Sequence, residues 1–348
     1  MSVTVCIWKY FDICEKAFPV ITLYSCPVLH THSFRRNVFM LKHWRISSLL
    51  ILAMTVGLFI SACGGSTTTG SSSTPSTLGT PGSYNCVSGQ LSVAGSTALA
   101  PLVTAVSKDY QVKCSSAAIT VGLGGSGTGL NEAEAGSIQI GNSDIFKKSN
   151  QSDLVDHQVA VVIFTMIINP KVTGVTSLTT AQIKGIYSGS ITNWKQVGGP
   201  DLKVVVVSRP SSSGTRATFQ QYILGGPETA SGQTLTSDST GTVVKAIGQT
   251  DGAIGYAASH AAQQAQTGGT VKIVNIDGNA PSHSLVESNT YKFWNIEHMY
   301  TKGKPTQLAQ ALIDYMASSD GQKEANTLDF ILTSQMSSSA IQAHQPQS

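Results

Sequence analysis

Leu91-Ser-Val-Ala-Gly-Ser-Thr-Ala-Leu-Ala-Pro-Leu-Val-Thr-Ala-Val-Ser-Lys-Asp-Tyr110 changes its period in the middle. Residues 91–94 read as a strand. Leu99, Leu102, Val103, Val106 and Tyr110 then recur at i, i+3, i+4, i+7 and i+11, which is one face of a helix. The turn between them is Gly95-Ser-Thr97. The same alternation continues along the chain. Strand-like runs at 119–123, 138–140, 159–168, 203–207, 253–256 and 271–276 are interleaved with helical stretches at 181–187, 215–224, 242–249 and 308–316. Strands that alternate with helices predict an α/β protein with parallel sheets covered by helices on both faces.

The chain has 348 residues, roughly two domains' worth at about 150 residues each. Only 12% of the residues are charged, half the ~25% usual for globular chains, and this excludes disorder driven by charge repulsion. A formal net charge of +3 is too balanced for a surface that coats nucleic acid. Its distribution is uneven, because residues 1–62 hold six basic and two acidic side chains and leave 16 basic and 17 acidic beyond them.

That first segment reads as a leader. Met40-Leu-Lys-His-Trp-Arg45 supplies a positive start, and 46–60 are almost uninterruptedly apolar. A run of about 15 residues is short for a membrane span, which needs about 20, and suits the core of a signal peptide. Ending on Ile60-Ser-Ala-Cys63, it resembles a bacterial lipoprotein signal. The resemblance implies lipid on Cys63 and a protein held at the outer face of the cytoplasmic membrane. Residues 1–39 fit neither a signal peptide nor the style of the rest, so translation is expected to start at Met40. From 64 to 83 every residue except Leu78 is Gly, Ser, Thr or Pro, a composition that makes 63–89 a flexible tether. Behind Cys63 the remaining cysteines are Cys86 and Cys114, and in an exported protein such a pair is expected to form one disulfide.

Four loops carry the chemistry: Gly95-Ser-Thr97, Gly124-Gly-Ser-Gly-Thr-Gly129, Asn142-Ser-Asp144 and Arg209-Pro-Ser-Ser-Ser-Gly-Thr215. Each offers small residues and hydroxyls where a strand ends, and three of them open a helix. The first turn of a helix has unpaired N–H groups and a partial positive charge, so it binds oxyanions without lysines. Glycine lets the backbone approach closely. Arg209, four residues before Ser213, can aim a planar guanidinium at the same tetrahedral anion. Gly122-Leu-Gly124-Gly-Ser-Gly127 also fits the G-x-G-x-x-G dinucleotide fingerprint. The helix after it is short for supporting a pyrophosphate, and the export signal argues against a nicotinamide enzyme.

Taken in order behind a lipoprotein leader, Ser96-Thr97-Ala98, Ser126-Gly127, Ser143-Asp144 and Arg209-x-x-x-Ser213-Gly214-Thr215 resemble the phosphate-binding proteins of phosphate ABC importers, the PstS family. The similarity spans about 91–334 and includes Asp251-Gly-Ala-Ile-Gly-Tyr256. It departs from the family pattern in the neighbours of Asp144 and of Arg209. The resemblance implies a two-lobed periplasmic-binding-protein fold of type II, with two crossing strands between the lobes. The first crossing is expected at 159–168 and the second near 255–256. Residues 90–165 and 256–348 would then form lobe I, and 166–255 lobe II. It further implies inorganic phosphate as the ligand, held by Ser96, Thr97, Ala98, Ser126, Gly127, Asp144, Arg209, Ser213, Gly214 and Thr215, and the permease subunits of an ABC importer as partners. No nucleic acid, cofactor or metal ion is expected.

Elementary chemistry gives Asp144 a distinct part. Hydrogen phosphate carries a proton that a carboxylate can accept, whereas sulfate presents only lone pairs and is repelled. Against catalysis, no Gly-x-Ser-x-Gly elbow and no carboxylate–histidine metal spacing occurs in the chain. The alternatives are a phosphatase-like secreted enzyme using the same anion cradle, or a binder of another tetrahedral oxyanion.

Overall fold

The computed structural model describes residues 85–236 and 238–346, so the leader, lipidation at Cys63 and the tether up to residue 84 lie outside the described residues. Strand β1 (Gly89–Gly95) runs into helix α1 (Ala100–Lys113) as the change of period requires. Ser96 Oγ accepts the N–H groups of Ala98 and Leu99 at 3.1 and 3.0 Å. Pro101 sits in the first turn, where its missing N–H costs nothing. Leu102, Val103, Val106 and Tyr110 of the apolar face are all buried. Cys114 ends the helix in a disulfide to Cys86, with 5.2 Å between their Cα atoms. The Tyr110 hydroxyl donates to the Asn85 carbonyl at 2.9 Å and accepts from the Val87 N–H at 3.0 Å, so the lead-in to β1 is pinned to the end of α1.

The chain continues through β2 (Ala117–Val121), α2 (Ser126–Ala135), β3 (Ile140–Ser143), β4 (Leu154–Ile168), β5 (Ser177–Leu178), α3 (Thr180–Ser188), β6 (Val205–Ser208) and α4 (Gly214–Phe219). After α4 a π-turn runs on to Leu224. Then come β7 (Gln233–Thr234), α5 (Thr240–Gln249), β8 (Ala253–Ala258), α6 (Ser259–Thr267), β9 (Lys272–Ile276), α7 (His283–Glu287), β10 (Trp294–Lys302), α8 (Gln307–Ala317), α9 (Ser319–Thr327) and α10 (Ser338–Ala343).

The strands form one sheet in the order β2-β1-β3-β10-β4-β8-β6-β7, and β9 pairs with both β4 and β5. β1 is parallel to β2 and β3, and β6 is parallel to β7 and β8. The two parallel groups are joined by β4, which is 15 residues long. Its Leu154 to Ile163 portion pairs antiparallel with β10, and Phe164 to Ile168 pair with β8. Residues 160–168 of this strand are all buried, which is why they read as a continuous apolar run rather than an alternating one.

The chain's return differs from the sequence-based expectation at 255–256. β8 and β9 both pair with the far end of β4, and β10 is the strand that re-enters beside β3. The strand-like run at 253–256 marks β8, not a crossing. β10 has no periodic signal because eight consecutive residues are buried, Asn295, Glu297 and His298 among them.

An aromatic cluster ties α4 to the sheet. Phe219 stacks on Tyr256 of β8 with 4.4 Å between ring centroids, and lies 5.4 Å from Phe293.

Candidate anion-binding site

Loops at the carboxyl ends of β1, β3 and β6 meet in one buried cluster, where open α/β sheets bind ligands. Ser96, Thr97, Ser126, Asp144, Arg209, Ser213 and Thr215 are all at most 6% exposed. The turn after β1 is set by Gly95 at φ 133°, where a Cβ would stand 2.2 Å from the Asn142 carbonyl oxygen. This close approach fixes Ser96, whose N–H donates to that same carbonyl at 2.9 Å.

Asp144 sits at the centre. Its N–H donates to Ser126 Oγ at 2.9 Å, and its Oδ2 accepts from Thr215 Oγ1 at 3.0 Å. Oδ1 has no hydrogen-bond partner among the described residues. Burial raises the Asp144 pKa above the usual carboxylate value, and the charge of Asp238 adds to the rise; hydrogen bonds from Ser96 and Thr215 and the charge of Arg209 oppose it.

The β6 side supplies the cation. Arg209 is fully buried, and its Nη1 pairs with Asp238 Oδ1 at 2.9 Å. Nη2 donates to the Tyr256 carbonyl at 3.3 Å and reaches Thr240 Oγ1 at 3.5 Å. Nε is left without a partner among the described residues. The guanidinium also lies 5.9 Å from the centre of the Tyr256 ring. Asp238 takes one of the two N–H groups of Nη1, so among the described residues the other remains free beside Nε. Behind Arg209, Arg216 Nη1 donates to its carbonyl at 2.8 Å, and Glu228 gathers Arg216, Ser208 and Tyr256.

Ser213 caps α4, its Oγ accepting from the Arg216 N–H at 3.3 Å. Gly214 follows, and a Cβ there would lie 2.2 Å from Ser126 Oγ, so only glycine permits this approach of α4 to α2. The Gly127 N–H is already engaged with the Ser212 carbonyl at 2.9 Å. Thr97 Oγ1 meets Thr240 Oγ1 at 3.2 Å, and Ala98 is buried beside it. All ten residues singled out from the sequence are thus in or against one cluster, with Gly127 committed to a protein carbonyl. The groups that remain to meet an oxyanion include Arg209 Nε, Asp144 Oδ1 and the first-turn N–H groups of α4.

A cavity of about 490 Å³ adjoins Thr97, Ala98 and Thr240, but Leu123, Val162, Ile163 and Phe330 make much of its wall apolar. The residues expected to meet an anion line the buried cluster instead. Among the described residues no group of three or more His, Cys, Asp or Glu is placed to hold a metal ion, and no helix is long and apolar enough to cross a membrane.

A family model for the PBP superfamily domain matches residues 80–320. The phosphate-binding protein PstS of Bacillus subtilis (strain 168) is 41% identical over 283 residues, covering 80% of this chain and 91% of that protein. The chain belongs to the PstS family. Among solved structures, a phosphate ABC transporter substrate-binding protein from Clostridium perfringens with bound phosphate matches with a TM-score of 0.65 and 29% identity, over 70% of this chain and all of that one. An ABC-type phosphate transport receptor from Vibrio cholerae, at 22% identity and a TM-score of 0.56, shares the fold over 70% of this chain.

Two acidic residues of this PstS-family site escape a reading of the sequence. Asp238 lies 29 residues from the arginine it neutralises, and its only local signal is the Ser-rich start of α5. Glu297 lies on β10 against Asp144, and nothing in its neighbours sets it apart from a surface glutamate.

Proposed function

We propose that this protein captures hydrogen phosphate between two lobes and delivers it to an ABC importer. The observation that carries this reading is the 3.0 Å hydrogen bond from Thr215 to Asp144, which joins a loop of the β6 side to a loop of the β3 side around an unpartnered guanidinium N–H and an unpartnered carboxylate oxygen. Such a site offers donors to a tetrahedral anion and one acceptor to its proton, and closure over the anion follows because both sides contribute. The name of the B. subtilis relative and the phosphate in the C. perfringens structure support the same ligand. We assign Ser96, Thr97, Ala98, Ser126, Gly127 and Asp144 to the lobe built on β1 and β3, and Arg209, Ser213, Gly214 and Thr215 to the lobe built on β6. Gly127 acts by holding Ser212 and not through its own N–H. The protein binds without turnover, and works at the outer face of the cytoplasmic membrane through lipid on Cys63.

Calorimetric titration of the purified protein tests the reading. Phosphate and arsenate, which both carry a proton near neutral pH, should bind, and sulfate should bind at least about tenfold more weakly. Equal affinities for phosphate and sulfate would overturn it, and release of phosphate from a monoester would return the enzyme alternative.

A further inference from the structure

Glu297 is not among the residues assigned to the anion above, yet it is fully buried in the middle of β10. Among the described residues no donor reaches either of its carboxyl oxygens. β10 runs antiparallel to β3 with His298 opposite Ser143, which sets Glu297 beside Asp144, the charged group that acts on it. Asp144 Oδ1 is likewise without a donor, while Oδ2 is held by Thr215. Neighbouring charges are committed elsewhere. On β10 itself His298 Nδ1 is bonded to Asp156 of β4 at 2.7 Å. His157 of β4 is bonded to Thr301 at 3.1 Å, and Glu134 of α2 accepts from Gln151 at 2.9 Å, while Glu132 of α2 is only half-buried. Across Asp144 stands the Arg209–Asp238 pair, already matched in charge.

Two ionised carboxylates in contact inside a protein repel each other, and the usual outcome is that one keeps a proton. Asp144 has the Thr215 hydroxyl donating to it, whereas no donor among the described residues reaches Glu297, so Glu297 is the member that keeps the proton; burial and the charge of Asp144 push its carboxyl the same way, well above the ordinary carboxylate range. We propose that Glu297 is a positioning residue of the anion site, which stays protonated and donates its proton to Asp144, so that hydrogen phosphate meets one carboxylate charge and not two. A carboxylate has about four acceptor positions, so Asp144 can take hydrogen bonds from Thr215 and Glu297 and still accept the proton of the anion. The inference rests on the phosphate reading above for the identity of the anion, and on the structure alone for the shared proton.

Two measurements test it. The first is the infrared C=O stretch of a protonated carboxylic acid in the wild-type protein near neutral pH, which should be present and should vanish in Glu297→Gln. The second is phosphate affinity across the neutral to alkaline range for wild type, Glu297→Gln, which keeps a neutral donor, and Glu297→Met, which keeps bulk without one. Because phosphate titrates identically in all three, the ratios report the protein. Near neutral pH the Gln variant should lie within about threefold of wild type and the Met variant about tenfold weaker, and wild type should fall behind Gln as the pH rises. Absence of the band, a Gln variant binding about tenfold tighter than wild type, or Met equal to Gln would each overturn the proposal. Should Glu297→Gln fail to fold, the wild-type band must instead shift in Asp144→Asn, and an unmoved band overturns the proposal. A wild-type protein that ignores phosphate would overturn the ligand reading, while the band would still decide where the proton is.

Discussion

Two buried acidic partnerships flank the site, and they are built on different terms. Asp238 is matched by Arg209, with a 2.9 Å contact and further hydrogen bonds from the guanidinium to Tyr256 and Thr240. Asp144 has the hydroxyls of Thr215 and Ser96 and, beside it, a second carboxyl, Glu297. The first partnership is matched in charge and sets geometry, and it leaves Nε and one N–H of Nη1 over. The second lacks a cation of its own and leaves acceptor capacity in the interior, which only a proton-bearing ligand or a protonated neighbour can use. On this comparison, the proposal assigns affinity and rigidity to the β6 side and discrimination to the β3 side.

The largest expected effect breaks the matched pair. Arg209→Ala leaves Asp238 buried without a counter-charge and should lower unfolding free energy by about 3–5 kcal/mol. Adding Asp238→Asn should recover a good part of that stability, but not phosphate binding. Denaturant unfolding of the single and double variants checks this, and if the double variant recovers nothing, the pair is not what holds this side. Reduction of Cys86–Cys114 should cost about 3–4 kcal/mol for a loop of this length, with phosphate affinity unchanged, since the disulfide lies at the far end of α1 from the site. A coupled loss of affinity would extend the site's support beyond the two partnerships compared here. Gly214→Ala would put a methyl 2.2 Å from Ser126 Oγ, and overpacking of this kind costs about 1–3 kcal/mol. If α4 and α2 meet only on closure, that cost should appear as weaker phosphate binding with unfolding of the ligand-free protein unaltered.

The Asp144–Glu297 partnership should also show in how stability follows pH. A carboxyl whose pKa folding raises is still protonated in the native state when it has already ionised in the unfolded chain. Above the ordinary carboxylate range the native state then binds more protons, and stability falls as pH rises. Burial gives Asp144 and Glu297 this sign. Glu297→Gln should therefore gain on wild type as the pH is raised above about 4.5, by at most ~1.4 kcal/mol per pH unit, in thermal melts read as the difference between the two proteins. A difference that stays flat would remove the protonated carboxyl from the account.

The loops of the candidate site were legible because their signal is local. A glycine and a hydroxyl where a strand ends mark Ser96, Ser126 and Ser213 whatever packs against them, and β4 announced itself by 160–168 being buried on both faces. What escaped is tertiary. Asp238 and Glu297 become significant only through partners far along the chain, at Arg209 and Asp144. β10 escaped for a related reason: polar residues in a strand buried on both sides erase the alternation by which strands are read, and with β10 went the place of the chain's return. α9, Ser-Asp-Gly-Gln-Lys-Glu-Ala-Asn-Thr, has no apolar stripe to betray it.

The division of labour between the two partnerships is tested most directly by titrating wild type and Asp144→Asn with phosphate and with sulfate at fixed pH and ionic strength. Asparagine keeps the size but brings a donor where the carboxylate only accepts. Phosphate loses a charge-assisted hydrogen bond worth ~1.5–3 kcal/mol, part of which is returned by relief of repulsion with the dianion, so its own change should be modest. Sulfate, freed of an opposing charge, should bind more tightly, and the phosphate-to-sulfate affinity ratio should fall. A folded Asp144→Asn variant whose ratio is unchanged or higher would contradict the account and move discrimination to another residue.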